Sequence, residues 1–167
     1  PGESSPENIQ ALIDEATRLS ELVNDLMDLS KLQAGMLKPT YSVFDFTETL
    51  RTTMSRYDAL IRHQGYRIEV SLREGVFVEA DRTMVLQVIY NLINNAINYP
   101  GESRTVRVTE SVSNGYVRLS VADDGEGIPP EHIGDIWDRY YRVDKEHKRA
   151  VMGTGLGLSI VKSVLEA

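Results

Sequence analysis

From Ile9 to Leu26 the apolar residues of this chain fall at alternating steps of three and four: Ile9, Leu12, Ala16, Leu19, Val23 and Leu26. Only a helix brings such positions to one side, so the chain must open with a long helix carrying a bundle or coiled-coil seam. Ser5, Pro6 and Glu7 suit its start: a hydroxyl cap, a proline whose missing N–H costs nothing in the first turn, and an acid near the positive end. A second apolar set, Ile13, Leu22, Met27, Leu29 and Leu32, widens the face beyond a two-stranded seam and predicts contact with more than one neighbour. The pattern stops at Gly35.

Residues 36–43 read as a linker, interrupted by Pro39 and Thr40, and place a domain boundary that divides the chain into 1–38 and 39–167. Beyond it the pattern predicts a helix over 47–63 stopped by Gly65, short strands over 66–72 and 76–80, and a helix over 82–99 capped by Asp81. Alternating segments at 104–112 and 116–122 flank Asn114-Gly115, a pair suited to the positive φ angles of a tight hairpin turn. Glycine-rich stretches at 125–127 and 153–157 bracket a charged aromatic segment, and a last helix starts in the second stretch.

With 167 residues the chain has room for one domain and an appendage. A net charge of −7 opposes a broad electrostatic hold on nucleic acid or anionic lipid, and no segment approaches the roughly 20 apolar residues of a membrane span. Zero cysteines exclude disulfides and thiolate metal sites. The start shows no signal-peptide pattern, Pro1 is not an initiator, and Ser163–Ala167 ends inside a helical pattern, so a longer natural protein is expected.

The helix at 82–99 has an apolar face (Val85, Val88, Ile89, Leu92, Ile93, Ala96) and an amide-rich one (Gln87, Asn91, Asn94, Asn95, Asn98). Asparagine costs a helix up to about 0.7 kcal/mol relative to alanine, so the four asparagines forfeit roughly 2 to 3 kcal/mol. Asn91 and Asn95, one turn apart, could offer amide oxygens to a hard cation such as Mg²⁺ or to its waters; an indifferent surface stripe is the other reading. Asp123 stands at a strand end before Gly125 and Gly127, where a carboxylate can accept from an adenine amino group, or merely form an Asx turn. Gly153-Thr154-Gly155-Leu156-Gly157-Leu158 opens the last helix with N–H groups able to hold phosphate. It fits neither a dinucleotide fingerprint, which wants glycine at Leu158, nor a P-loop, since no Gly-Lys pair exists. Arg139, Arg142, Lys145, Lys148 and Arg149 make a basic run that suits a polyphosphate lid or a solvated loop.

Taken in order, NLINNAINY (91–99), DDGEGI (123–128), WDRYYRVD (137–144) and GTGLGLSIVK (153–162) resemble the four nucleotide boxes of bacterial sensor histidine kinases. The opening helix, ending DLMDLSKLQAG, is similar to the second helix of that family's dimerisation and phosphotransfer hairpin. The resemblance covers roughly residues 6–167 and implies an α+β, two-layer sandwich of mixed sheet and helices, of the type shared with gyrase, heat-shock chaperones and mismatch-repair ATPases. It implies ATP and Mg²⁺ as cofactors, Asn95 with Asn91 at the cation, and Asn98 and Tyr99 at the nucleotide. Asp123, Gly125, Gly127 and Ile128 would form the adenine pocket. Arg142, Thr154, Gly155, Leu156 and Gly157 would meet phosphate, and Tyr141, Lys145, Lys148, Gly153 and Leu158 would complete the ATP site.

The family moves the ATP γ-phosphoryl group to a histidine on the first hairpin helix, then to an aspartate on a response regulator. That helix is absent from this sequence, so the piece should bind ATP without phosphorylating itself. The resemblance further implies a homodimeric parent anchored in the cell membrane, this part being cytoplasmic, and no nucleic-acid partner. Asn98 departs from the family's usual basic residue, and Trp137 from its usual Phe. His63 and His132 read as surface histidines, and His147 lies in the basic run. Rival expectations are a gyrase-like or chaperone-like ATPase, an anti-sigma serine kinase, and a scaffold without nucleotide; the bundle helix argues against the ATPases and the serine kinase, and the four readable boxes against the scaffold.

Overall fold

The computed structural model describes residues 6–36, 38–99, 101–141 and 154–167. Helix α1 (Pro6–Gln33) has the expected bounds, and Gly35 follows it with φ +63. It lies alongside the last helix, α5 (Gly157–Leu165). The seam is open: Leu12 is 69% exposed, and Ile9, Ile13, Leu19, Val23 and Met27 are about half exposed or more. Leu22, Leu29 and Leu32 of the wider face lie outside the residues whose side chains are described.

The linker expectation over 36–43 needs correction. Strand β1 (Ser42–Asp45) begins within it and pairs antiparallel with β3 (Phe77–Ala80), Val43 opposite Glu79. The single helix expected over 47–63 is two: α2 (Phe46–Ser55) and α3 (Asp58–Gln64). At the break the Arg56 and Tyr57 N–H groups bond three residues back, to Thr53 and Met54, and Ser55 turns its hydroxyl onto the Thr52 carbonyl. Those tightened bonds end the α-helical ladder without glycine or proline. Asp45 caps α2 by accepting from the Glu48 N–H at 2.8 Å, and Gly65 closes α3 in the left-handed region, φ +69.

Strands β2 (Arg67–Ser71), β4 (Thr105–Ser113) and β5 (Tyr116–Asp123) form a separate mixed sheet, order β2-β4-β5, with β2 parallel and β5 antiparallel to β4. The hairpin turn is as predicted: Asn114 and Gly115 both have positive φ, +52 and +77. One face of this sheet meets α2 and α4 (Arg82–Asn98) in the main core, built from Phe46, Leu50, Met54, Ile89, Ile93, Ala96, Val106 and Val108. Leu50 is fully buried, and each such side chain contributes roughly 1.5 to 3 kcal/mol. Glu110 enters this layer yet is satisfied, both carboxylate oxygens lying 3.2 Å from the Thr47 hydroxyl. The opposite face carries charges: Arg107 bridges Glu69 on β2 and Asp124 just past β5, at 3.3 and 3.0 Å.

Two layers of this kind put the end of β5 and the amide face of α4 at one edge of the sandwich. A smaller core of Leu156, Ile160 and Val164 orients α5 beside α4.

Candidate functional site

Helix α4 starts where Asp81 accepts from the Met84 N–H at 3.0 Å; a second bond, from the Thr40 N–H at 2.7 Å, ties the cap to the segment before β1. Both bonds favour the carboxylate and hold Asp81 below its ordinary range. The asparagines on α4 then separate into roles. Asn94 accepts from the Tyr57 hydroxyl at 3.0 Å, so it fastens the α2–α3 junction to α4 and belongs to the packing. Burial, with Tyr90 nearby, pushes the Tyr57 phenol up to about 12.

Asn91 donates through Nδ2 to the Gln87 carbonyl at 2.9 Å, which commits its N–H side and leaves Oδ1 as an acceptor facing α5. A β-carbon at Gly157 would sit 2.9 Å from that oxygen. Asn95 is half-buried, and its amide has no hydrogen-bond partner among the described residues. A half-buried amide oxygen and a second oxygen one turn away fit a hard cation or its waters. Asn98 is half-buried and Tyr99 exposed, the latter closing the helix through its N–H to Asn95 O.

At the end of β5, Asp123 accepts from the Gly125 N–H at 2.8 Å through Oδ1, which fixes the carboxylate's orientation and leaves Oδ2 directed elsewhere. Gly125 packs so closely on the Tyr99 carbonyl that any β-carbon would collide with backbone. Gly127 adopts φ +76, where L side chains are strained, and Ile128 stays exposed beside it. Asp124 is turned away: Ser103 donates to it at 2.7 Å and Arg107 at 3.0 Å, and these two hold its carboxyl below the usual range.

Past Trp137 the chain reaches Tyr140, whose N–H donates to the Gly155 carbonyl at 2.9 Å. Tyr140 has φ +61, a conformation that costs a bulky residue about 1 to 2 kcal/mol. A β-carbon at Gly155 would lie 3.1 Å from Tyr140 Cα. Thr154 receives the Leu156 N–H at 3.2 Å, and Leu156 is wholly buried, so only its backbone faces the site. Helix α5 begins at Gly157 without a side-chain cap, followed by half-buried Leu158, so its first N–H groups have no side-chain acceptor.

The structure therefore brings the four expected stretches together: 91–99 meets 123–128 at Tyr99 and Gly125, meets 153–162 at Asn91 and Gly157, and 137–144 meets 153–162 at Tyr140 and Gly155. Arg142, Lys145, Lys148 and Gly153, with His147, lie outside the described residues. His63 is exposed at the end of α3, as expected. The surface reading of His132 is incorrect: it is half-buried, with Nδ1 2.6 Å from the Tyr141 hydroxyl. The two residues are nine apart across short 3-10 turns, a spacing without periodic signal.

A mixed sheet backed by helices, with an amide-bearing helix facing a glycine-led one, is the α+β two-layer sandwich of an ATPase fold. Residues 80–167 match the family of histidine kinase-, DNA gyrase B- and HSP90-like ATPases, and the chain belongs to that family. Over 168 residues it is 34% identical to the sensor protein kinase WalK of Staphylococcus saprophyticus, covering 99% of this chain and 27% of that protein. It is 33% identical to the sensor histidine kinase YkoH of Bacillus subtilis, over 96% of this chain and 34% of that one. The chain thus spans about a quarter to a third of these relatives. Among solved structures, the Acinetobacter baumannii histidine kinase AdeS superposes with TM-score 0.80 at 25% identity, covering 99% of this chain and 75% of that one. The histidine kinase ThkA, solved in complex with the response regulator TrrA, superposes with TM-score 0.70 at 27% identity, over 85% of this chain and 42% of that chain. None of the helices among the described residues is long and apolar enough to cross a membrane.

Proposed function

We propose that this chain is the ATP-binding catalytic part of a sensor protein histidine kinase, residues 39–167 holding Mg²⁺-ATP and residues 1–38 contributing to the dimerisation and phosphotransfer hairpin. The γ-phosphoryl group passes to a histidine outside residues 1–167 and from there to a response regulator. The observation that carries this is the convergence at three close approaches, Tyr99 with Gly125, Asn91 with Gly157 and Tyr140 with Gly155, of the stretches that resemble nucleotide boxes. Family membership includes gyrase-like and chaperone-like ATPases, but the similarity to sensor kinases runs through α1 as well.

Each residue's task follows from its chemistry. Asn95, with Asn91, would hold Mg²⁺, which supplies charge neutralisation at the phosphates when bound. Asp123, oriented by the Gly125 N–H, accepts from the adenine amino group; Gly127, Ile128 and Tyr99 shape the pocket around the base. Asn98, Thr154, Gly155, Leu156 backbone, Gly157 and Leu158 border the phosphates, and the resemblance to the family's nucleotide boxes adds Tyr141, Arg142, Lys145, Lys148 and Gly153 to the ATP site. Positioning and electrostatics do the rest, as phosphoryl transfer requires. The parent is a homodimer anchored in the cell membrane with this part in the cytoplasm, a reading supported by the sensor kinases it resembles.

Calorimetric titration with a non-hydrolysable ATP analogue, with and without Mg²⁺ and against a GTP analogue, tests this. Mg²⁺-strengthened, adenine-selective binding is expected; no binding by a folded sample overturns it.

A further inference from the structure

His132 has no part in the nucleotide boxes, yet its contacts lead into them. Its mount is rigid: Pro129 and Pro130 fix the preceding φ angles, and the His132 N–H donates to the Pro129 carbonyl at 2.9 Å. From there Nδ1 reaches the Tyr141 hydroxyl at 2.6 Å, the rings 6.0 Å apart and tilted by 51°. The backbone anchor of Tyr141 is weak by comparison, its N–H lying 3.4 Å from the Asp138 carbonyl. The bond to His132 is thus the shorter of the two hydrogen bonds that Tyr141 makes among the described residues. Its neighbour Tyr140 is held in the left-handed region and donates to the Gly155 carbonyl at 2.9 Å, against a glycine whose β-carbon would stand only 3.1 Å from Tyr140 Cα. Such a conformation persists only where surrounding contacts over-determine it.

We propose that His132 is a positioning residue of the nucleotide site, acting through Tyr141 and Tyr140 to hold Gly155, and with it the start of α5, in place against α4. This rests on the nucleotide reading above. The bond can be made in either direction: a neutral ring accepts the phenol proton at Nδ1, and a ring protonated there donates to the phenol oxygen. Burial first, then Asp135, Asp138 and Glu131, raises the Tyr141 phenol, which keeps its proton available.

The test titrates adenylyl imidodiphosphate with Mg²⁺ into the wild type, His132→Ala, His132→Asn, Tyr141→Phe and the Ala/Phe double variant, and records the unliganded melting temperature of each. Asparagine places an amide oxygen close to where Nδ1 stands, so it can still accept from the phenol. Expected are losses of about fivefold in affinity for His132→Ala and Tyr141→Phe, recovery to within about twofold for His132→Asn, and a double variant no worse than the worse single. Wild-type affinity in His132→Ala overturns the proposal, as does an equal loss in the Asn variant or losses that multiply in the double variant. If His132→Ala does not fold, His132→Asn and Tyr141→Phe still decide. Failure of the wild type itself to bind overturns the nucleotide reading, and this inference falls with it.

Discussion

Asn91 Oδ1 occupies the space that a β-carbon at position 157 would need, 2.9 Å from where that carbon would stand. The helix bearing the asparagines and the helix opened by glycines are thus fitted to each other at one atom. Crowding at a flexible side-chain end can be relieved by rotating it, and here rotation would break the Nδ2 bond to Gln87.

Gly157→Ala should accordingly separate stability from binding. Alanine favours helix over glycine by up to about 1 kcal/mol, which roughly offsets the lost Gln87 bond, so the melting temperature should stay close to wild type. Displacing the Asn91 amide should cost about tenfold in Mg²⁺-ATP analogue affinity, or about 1.4 kcal/mol. Parallel calorimetry and thermal melts check this; affinity equal to wild type would remove Asn91 Oδ1 from the site.

Tyr57→Phe tests the division of labour among the asparagines. It removes the phenol bond to Asn94, at a cost of about 1 kcal/mol in stability, and should leave nucleotide affinity within about twofold. In an ultraviolet titration the wild type should show one tyrosine ionising at about 12, missing from the variant. Because the folded-state value is raised above 10.0, the stability from this group is full below pH 10 and is lost as pH rises toward 12. A nucleotide defect in Tyr57→Phe would place Asn94 in the site instead.

Much of this arrangement was legible in the chain, for local reasons. Asp81 as cap, Asn114-Gly115 as turn and the asparagine stripe each declare themselves within a few residues, since capping, turn geometry and helical face depend on near neighbours. What escaped depends on distant partners. Ser42–Asp45 is too short to show alternation and becomes a strand only because β3 lies opposite it. The break at Arg56–Tyr57 uses helix-compatible residues and is fixed by Tyr57 reaching Asn94. His132 finds Tyr141 across two irregular turns. Asn94 shared the stripe with Asn91 and Asn95 but faces α2 and α3, a distinction that spacing alone does not draw.

Asp124→Asn probes the charged face through pH. Its carboxyl is lowered by Ser103 first and Arg107 second, so the stability it contributes is present above its ordinary value of 3.8 and is lost as pH falls through the lower folded-state value. Wild type should therefore melt above Asp124→Asn at neutral pH, with the gap closing below about pH 4. Salt should narrow the gap as well, since the pair is exposed. A gap unchanged at acid pH would mean that the asparagine acts by disturbing the loop at Gly101–Arg104 and not by losing charge.

Asp123 permits a sharper test, because only one of its two oxygens is taken up by a partner among the described residues. Oδ1 holds the Gly125 N–H at 2.8 Å, and the remaining oxygen is the one available to a base. Asp123→Ala removes both, so it should weaken ATP analogue binding by at least about tenfold and reduce discrimination against GTP. Asp123→Asn should be more selective in its damage. The amide oxygen can still receive Gly125, so the turn is kept, while the amide nitrogen then faces the adenine amino group, donor against donor. Guanine presents a carbonyl oxygen at that position, which the new N–H₂ can meet. The expected outcome is a fall in ATP analogue affinity with a rise in GTP analogue affinity, measured by paired titrations under saturating Mg²⁺. If Asp123→Asn lowers both nucleotides equally, the carboxylate serves the turn and does not read the base.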